Sequence, residues 1–160
     1  MKTFLLVLFS LLSLAAVQGM RDQSIAVKGR LLCGSQPAAN VRIKLWEEDS
    51  GPDPDDLLEA GYTDSNGEFQ LSGGEAELTP IDPIFKVYHD CDDKFIPGHR
   101  KVKFLIPKSY ITQGKVPKKT FDLGVLNLET IFPKEERELI VSRRRRHREK
   151  EYFESDPDFQ

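Results

Sequence analysis

The sequence is poor in several things, and each shortage excludes something. It has two cysteines, so at most one intrachain pair can form. None of its three asparagines, Asn40, Asn66 and Asn127, stands in an N-x-S/T context, so N-glycosylation is not expected. After the first 19 residues there is no further long apolar run, so nothing is expected to span a membrane. Excess positive charge is also missing. Taking Lys2 away with the leader leaves 22 Lys+Arg against 26 Asp+Glu, a balance of −4, and nothing global points to nucleic acid.

What is present starts with MKTFLLVLFSLLSLAAVQGM, in which one cationic residue precedes an apolar stretch and then small residues. This reads as a signal peptide over residues 1–19, cleaved after Gly19, with the mature protein secreted and extracellular. From Ser24 to Glu129 apolar residues recur at every second position in short runs punctuated by Gly, Pro, Asn and Asp. Ile25, Val27, Gly29, Leu31 and Cys33 share one face, Val41, Ile43 and Leu45 another, and Phe121, Leu123 and Val125 a third. Asn66-Gly67 supplies the positive-φ pair of a tight hairpin. Pro107–Ile111 and Asp55–Glu59 have room for one helical turn each. The count is seven to eight strands, an all-β, two-sheet Greek-key sandwich occupying residues 20–132. Beyond Phe132 the alternation stops, and residues 133–160 read as a charged, disordered C-terminal tail.

The stretch PIFKVYHDC holds the one cluster that suggests chemistry. In an extended strand Phe85, Val87, His89 and Cys91 lie on one face, so Cys91 closes an apolar row as Cys33 does. His89 is two residues away, about 6.5 Å along the strand and outside hydrogen-bond reach of the thiol. A Cys/His nucleophile is therefore disfavoured. In an oxidising compartment Cys33 and Cys91 are expected to pair, and His89 to be a partly buried, hydrogen-bonded strand-end residue.

VKGRLLCGSQPAANVRIKLWEED, DPDDLLEAGYTDSNGEFQLSG, PIFKVYHDC and KVKFLIPKSYITQGKVPKKTFDLGVLNLE, taken in succession, resemble the nematode transthyretin-like family from about Val27 to Glu129. The resemblance implies a secreted, prealbumin-like β-sandwich with a cystine at Cys33 and Cys91, whereas periodicity alone reaches only a sandwich. It implies no particular activity. Transthyretins carry thyroid hormone in a channel between subunits. Their enzymatic relatives hydrolyse 5-hydroxyisourate with histidines, an arginine and a C-terminal Tyr-Arg-Gly-Ser, an ending this chain replaces with SDPDFQ. The expectation is a non-catalytic extracellular binding protein, a ligand carrier or adaptor without cofactor. Its partner would be a protein, a cell-surface component or a small apolar ligand, with a hydrolase-like enzyme as the alternative.

Three surface features are candidates for contact. Trp46 is out of phase with the core and faces outward, as a contact residue or under the acidic loop that follows it. Lys101 and Lys103, with Arg100, form a basic strip, either solvated or facing an anionic partner. Arg143, Arg144, Arg145, Arg146 and Arg148 form a run that suits a passive tail, a dibasic processing site, or binding of anionic lipid or glycan by charge density. The carboxylates of residues 47–59 raise the question of Ca²⁺. An EF-hand register from Asp49 puts Pro54 where glycine belongs and leaves Glu59 one position short, so a solvated acidic loop is the better reading.

Overall fold

A computed structural model describes residues 20–48 and 55–142. Residues 1–19, residues 49–54 of the acidic loop, and the arginine run Arg143–Arg146 with Arg148 lie outside the described residues. Seven strands of six or more residues form the body: β1 (Arg21–Cys33), β3 (Arg42–Glu47), β4 (Asp56–Tyr62), β5 (Glu68–Glu77), β6 (Pro83–His89), β7 (His99–Leu105) and β9 (Thr120–Asn127). Three short ones, β2 (Gln36–Pro37), β8 (Thr112–Gln113) and β10 (Glu136–Glu138), are added to them. In sheet A, β1 pairs antiparallel with β5, β2 and β8, and parallel with β9. Sheet B is antiparallel throughout, in the order β10-β7-β6-β3-β4.

The alternation does what period-two patterning requires. Ile25, Val27 and Leu31 of sheet A are fully buried against Ile43, Leu45, Phe85 and Val87 of sheet B. Phe69 of β5 stacks on Phe85 of β6 with ring centroids 4.7 Å apart, which pins the two sheets face to face. Each such side chain contributes about 1.5–3 kcal/mol by leaving water. Residues 108–110 form the expected single turn, of 3₁₀ type.

Four expectations are corrected. Asp55–Glu59 makes no helical turn: Asp56–Tyr62 is strand β4, because pairing with β3 buries Leu58, and one isolated helical turn would bury nothing comparable. The Asn66-Gly67 turn has only Gly67 at positive φ (+76°), and the strands it joins lie in different sheets, so it is a crossover. A Cβ on Gly67 would lie 2.2 Å from the Leu31 carbonyl oxygen, which keeps this position glycine as the turn packs on β1. Val125 is not in phase with Phe121 and Leu123. A bulge at Gly124 (φ +73°) shifts the register against β1, so Val125 is 62% exposed and Leu126 and Leu128 turn inward instead. Finally, the folded part does not stop at Phe132. Residues 133–142 return to sheet B, where Glu136, Arg137 and Glu138 pair with Lys101, Arg100 and His99 of β7.

That last return is anchored by charge. The Arg100 guanidinium, on the inner side of β7, donates to the carbonyls of Cys91 (2.8 Å), Leu128 (3.0 Å) and Thr130 (3.1 Å) and pairs with Glu135. Arg137 makes a second fork to Asp93. Each partner holds the carboxyls of Glu135 and Asp93 below the usual carboxylate range.

Candidate functional site

Strand phase sends Arg42, Lys44 and Trp46 of β3 to the outer side of sheet B, with Ile84, Lys86 and Tyr88 of β6 and Lys101, Lys103 and Leu105 of β7. Register then lines them up in three rows across the strands: Lys44, Lys86 and Lys103; Arg42, Tyr88 and Lys101; Trp46, Ile84 and Leu105. Three lysines directly abreast repel one another, since neighbouring strands are only about 4.8 Å apart. The face answers this in three ways.

Carboxylates neutralise the two sides. Lys86 pairs with Glu48 (3.3 Å) and Asp55 (3.5 Å). Lys101 pairs with Glu138 (2.7 Å) and Glu136 (3.3 Å), and Lys103 with Glu136 (2.7 Å), which holds the Glu136 carboxyl below its ordinary range. Aromatic rings take up further charge: Arg42 lies over Tyr62 (4.7 Å), Lys86 over Trp46 (5.0 Å), and Lys44 between Trp46 (5.6 Å) and Tyr88 (5.1 Å). Among the described residues no carboxylate pairs with Lys44. It is 2% exposed, and its Nζ donates to the Ser142 hydroxyl at 3.1 Å. Burial lowers its pKa first, and the neighbouring Arg42, Lys101 and Lys86 lower it further, with Glu138 acting the other way. Burial also pushes the Tyr88 phenol up to about 12.

At the end of this face, a cavity of about 530 Å³ opens between Arg42, Tyr62, Tyr88, His89, His99 and Val141, beside the disulfide. The Cys33–Cys91 bridge joins β1 of sheet A to the residue after β6 of sheet B, with a Cα–Cα distance of 5.7 Å across a sequence separation of 58. The backbone N–H of Cys91 donates to His89 Nδ1 at 3.2 Å. His89 is 3% exposed and its pKa is lowered to about 4, by burial first and then by Arg100. With neither cysteine free, the sulfur of Cys91 is no nucleophile, and the buried neutral imidazole caps a chain turn. His99 Nδ1 lies 2.7 Å from Asp90 Oδ1 at the rim.

The residues singled out from the sequence therefore divide. Trp46 does face outward, half-buried, and the lysines of its own sheet cover it; its Nε1–H is buried without an acceptor among the described residues. Lys101 and Lys103 do share that face, but the strip does not include Arg100, which points inward, and its anions come from β10 of the same chain. Arg42, Lys44, Lys86 and Tyr88 were not singled out. The signal for them was the recurrence of a basic residue at outward positions in RIKLW, FKVYH and KVKF, which register alone assembles into one array. In the acidic loop, Glu48 and Asp55 serve Lys86, Asp49 and Asp53 lie outside the described residues, and no group of metal-ligating side chains occurs among the described ones.

Fold and bridge together define a class: a two-sheet β-sandwich with one intersheet cystine. The family model described as the transthyretin-like family matches residues 28–107, half of the chain. Transthyretin-like protein 46 of Caenorhabditis elegans is 74% identical over 147 residues, 91% of this chain and 81% of that protein. Transthyretin-like protein 33 of the same nematode is 45% identical over 82% of this chain and 93% of its own. This chain belongs to the transthyretin-like family. Among solved structures, a 9R-lipoxygenase from Cyanothece PCC8801 aligns with TM-score 0.37 and 25% identity over 66% of this chain and 16% of its own length, too distant to carry an argument.

Proposed function

We propose that the protein is a secreted, non-catalytic binding protein that meets an extracellular protein or cell-surface component with the outer face of sheet B. The observation that carries this is the row Lys44, Lys86 and Lys103 set among Trp46 and Tyr88. Stacking like charges in a half-buried array costs stability, and a fold retains such a surface where recognition gains from it. Aromatic and cationic side chains together are also the usual anchors of interfaces. Against catalysis stand the bridged cysteines and the imidazole of His89, which burial keeps neutral.

The test has two arms. Immobilised mature protein should capture a partner from extracellular fluid, with capture falling steeply as salt rises. The same protein should leave 5-hydroxyisourate unchanged; turnover that disappears on His89→Asn or His99→Asn would replace the binding reading with a hydrolytic one. The cavity beside the disulfide favours a second reading, carriage of a small ligand with an apolar body. Saturable binding of a hydrophobic dye, lost on Val141→Arg, would support it.

A further inference from the structure

The C-terminal strand gives a clue to the partner's chemistry, and the inference rests on the binding role just proposed. Glu136 and Glu138 stand two residues apart in an extended segment, so both carboxylates leave β10 on the same side and reach Lys101 and Lys103, themselves two residues apart. The chain has thus built on β7 a working example of an extended acidic segment held by this face. On β3, an inner strand between β4 and β6, Arg42 and Lys44 likewise stand two residues apart on the outer side, but among the described residues no carboxylate pairs with Lys44. Among the described residues its ammonium meets the Ser142 hydroxyl and two ring faces, with Glu138 acting on it at longer range. The cover is lightly held, for Leu139 and Ile140 are 72% and 85% exposed.

We propose that Lys44 is the anion seat of a docking site for an extended acidic peptide segment of another protein, whose carboxylate displaces Ser142 from the Lys44 ammonium. A carboxylate there would put a full negative charge on the ammonium in place of a hydroxyl, and it would relieve a buried cation that pairs with no carboxylate among the described residues. Such a segment would lie across the outer face over Lys44, because β3 is flanked by β4 and β6 and offers no edge for pairing. The seat is filled or emptied by residues 139–142, so this segment of the chain competes with the partner for the same lysine.

The experiment uses full-length mature protein and a fluorescein-labelled peptide of alternating glutamate and threonine, read by anisotropy. Controls are its glutamine counterpart and a heparin octasaccharide. The glutamate peptide is expected to bind and the glutamine peptide to bind at least about tenfold more weakly, the loss expected for one charge-assisted contact. Lys44→Met should weaken the glutamate peptide by about tenfold. Ser142→Asp, at an exposed position that leaves the fold intact, should do the same by filling the seat in cis. Equal binding of the two peptides, unchanged affinity in both variants, or heparin bound in preference to the peptide with the same loss in each variant would overturn the proposal. Capture of an extracellular partner that persists undiminished in Ser142→Asp would sink this site while leaving the binding role standing.

Discussion

Lys28 on the outer face of sheet A and Lys44 on the outer face of sheet B occupy the same place in an apolar–polar alternation, and their surroundings are opposite. Lys28 is half exposed and pairs loosely with the equally open Asp122 at 3.4 Å. Such an exposed pair adds little to stability. Lys44 is closed in by two rings, three further cations and the segment that carries Ser142. Alternation says which side of a strand a residue takes; it does not say whether that side meets water. On sheet A Lys28 meets solvent, whereas on sheet B the segment after the edge strand β10 brings Ser142 to Lys44.

The largest test of this contrast concerns what holds the two sheets together. Replacing both Cys33 and Cys91 with alanine should lower unfolding free energy by about 4 kcal/mol in guanidinium titration, the loop-closure value for this separation; a loss under about 1 kcal/mol would mean that packing alone sets the spacing of the sheets. The second test is acid. His89 has a folded pKa of about 4 against an ordinary 6.5, so the folded state resists protonation while the unfolded chain accepts it. The stability from keeping it neutral is complete above about pH 6.5 and is lost as pH falls toward 4, by about 3 kcal/mol in all. His89→Asn should flatten that part of the pH profile and leave the loss at lower pH that comes from Asp93 and Glu135.

The third and fourth tests make the same substitution on the two faces. Lys44→Met should raise stability by about 1–2 kcal/mol, because it removes a desolvated cation without a carboxylate and leaves its packing. Lys28→Met should change stability by less than about 0.5 kcal/mol. Equal effects at the two positions in thermal or denaturant unfolding would erase the distinction between the sheets.

Much of the fold was legible because it depends on neighbours in sequence. Ile25, Val27 and Leu31 announce a buried face by their spacing, and the two cysteines, each ending such a row, were expected to pair as the two cysteines of a secreted chain. Val125 was misplaced because a bulge at Gly124 inserts one residue, and a one-residue slip exchanges the faces of everything after it. Asp55–Glu59 was misread as a helical turn because the partner that makes it part of a strand, β3, lies beyond a loop. The candidate site was only half legible: Lys101, Lys103 and Trp46 stood out as outward-facing, but nothing local says that Lys44 and Lys86 stand beside them.

The amino-acid order by itself determined that the chain would fold as a stapled sandwich, since period-two burial and a single cysteine pair are properties of each strand taken alone. Tertiary structure decided which lysines share a row, that Arg100 turns inward to hold Glu135, and that residues 133–142 close over sheet B instead of trailing away. These depend on register and on contacts between residues far apart in the chain, and such pairings are fixed by the balance of all strands together, with no trace in any one of them.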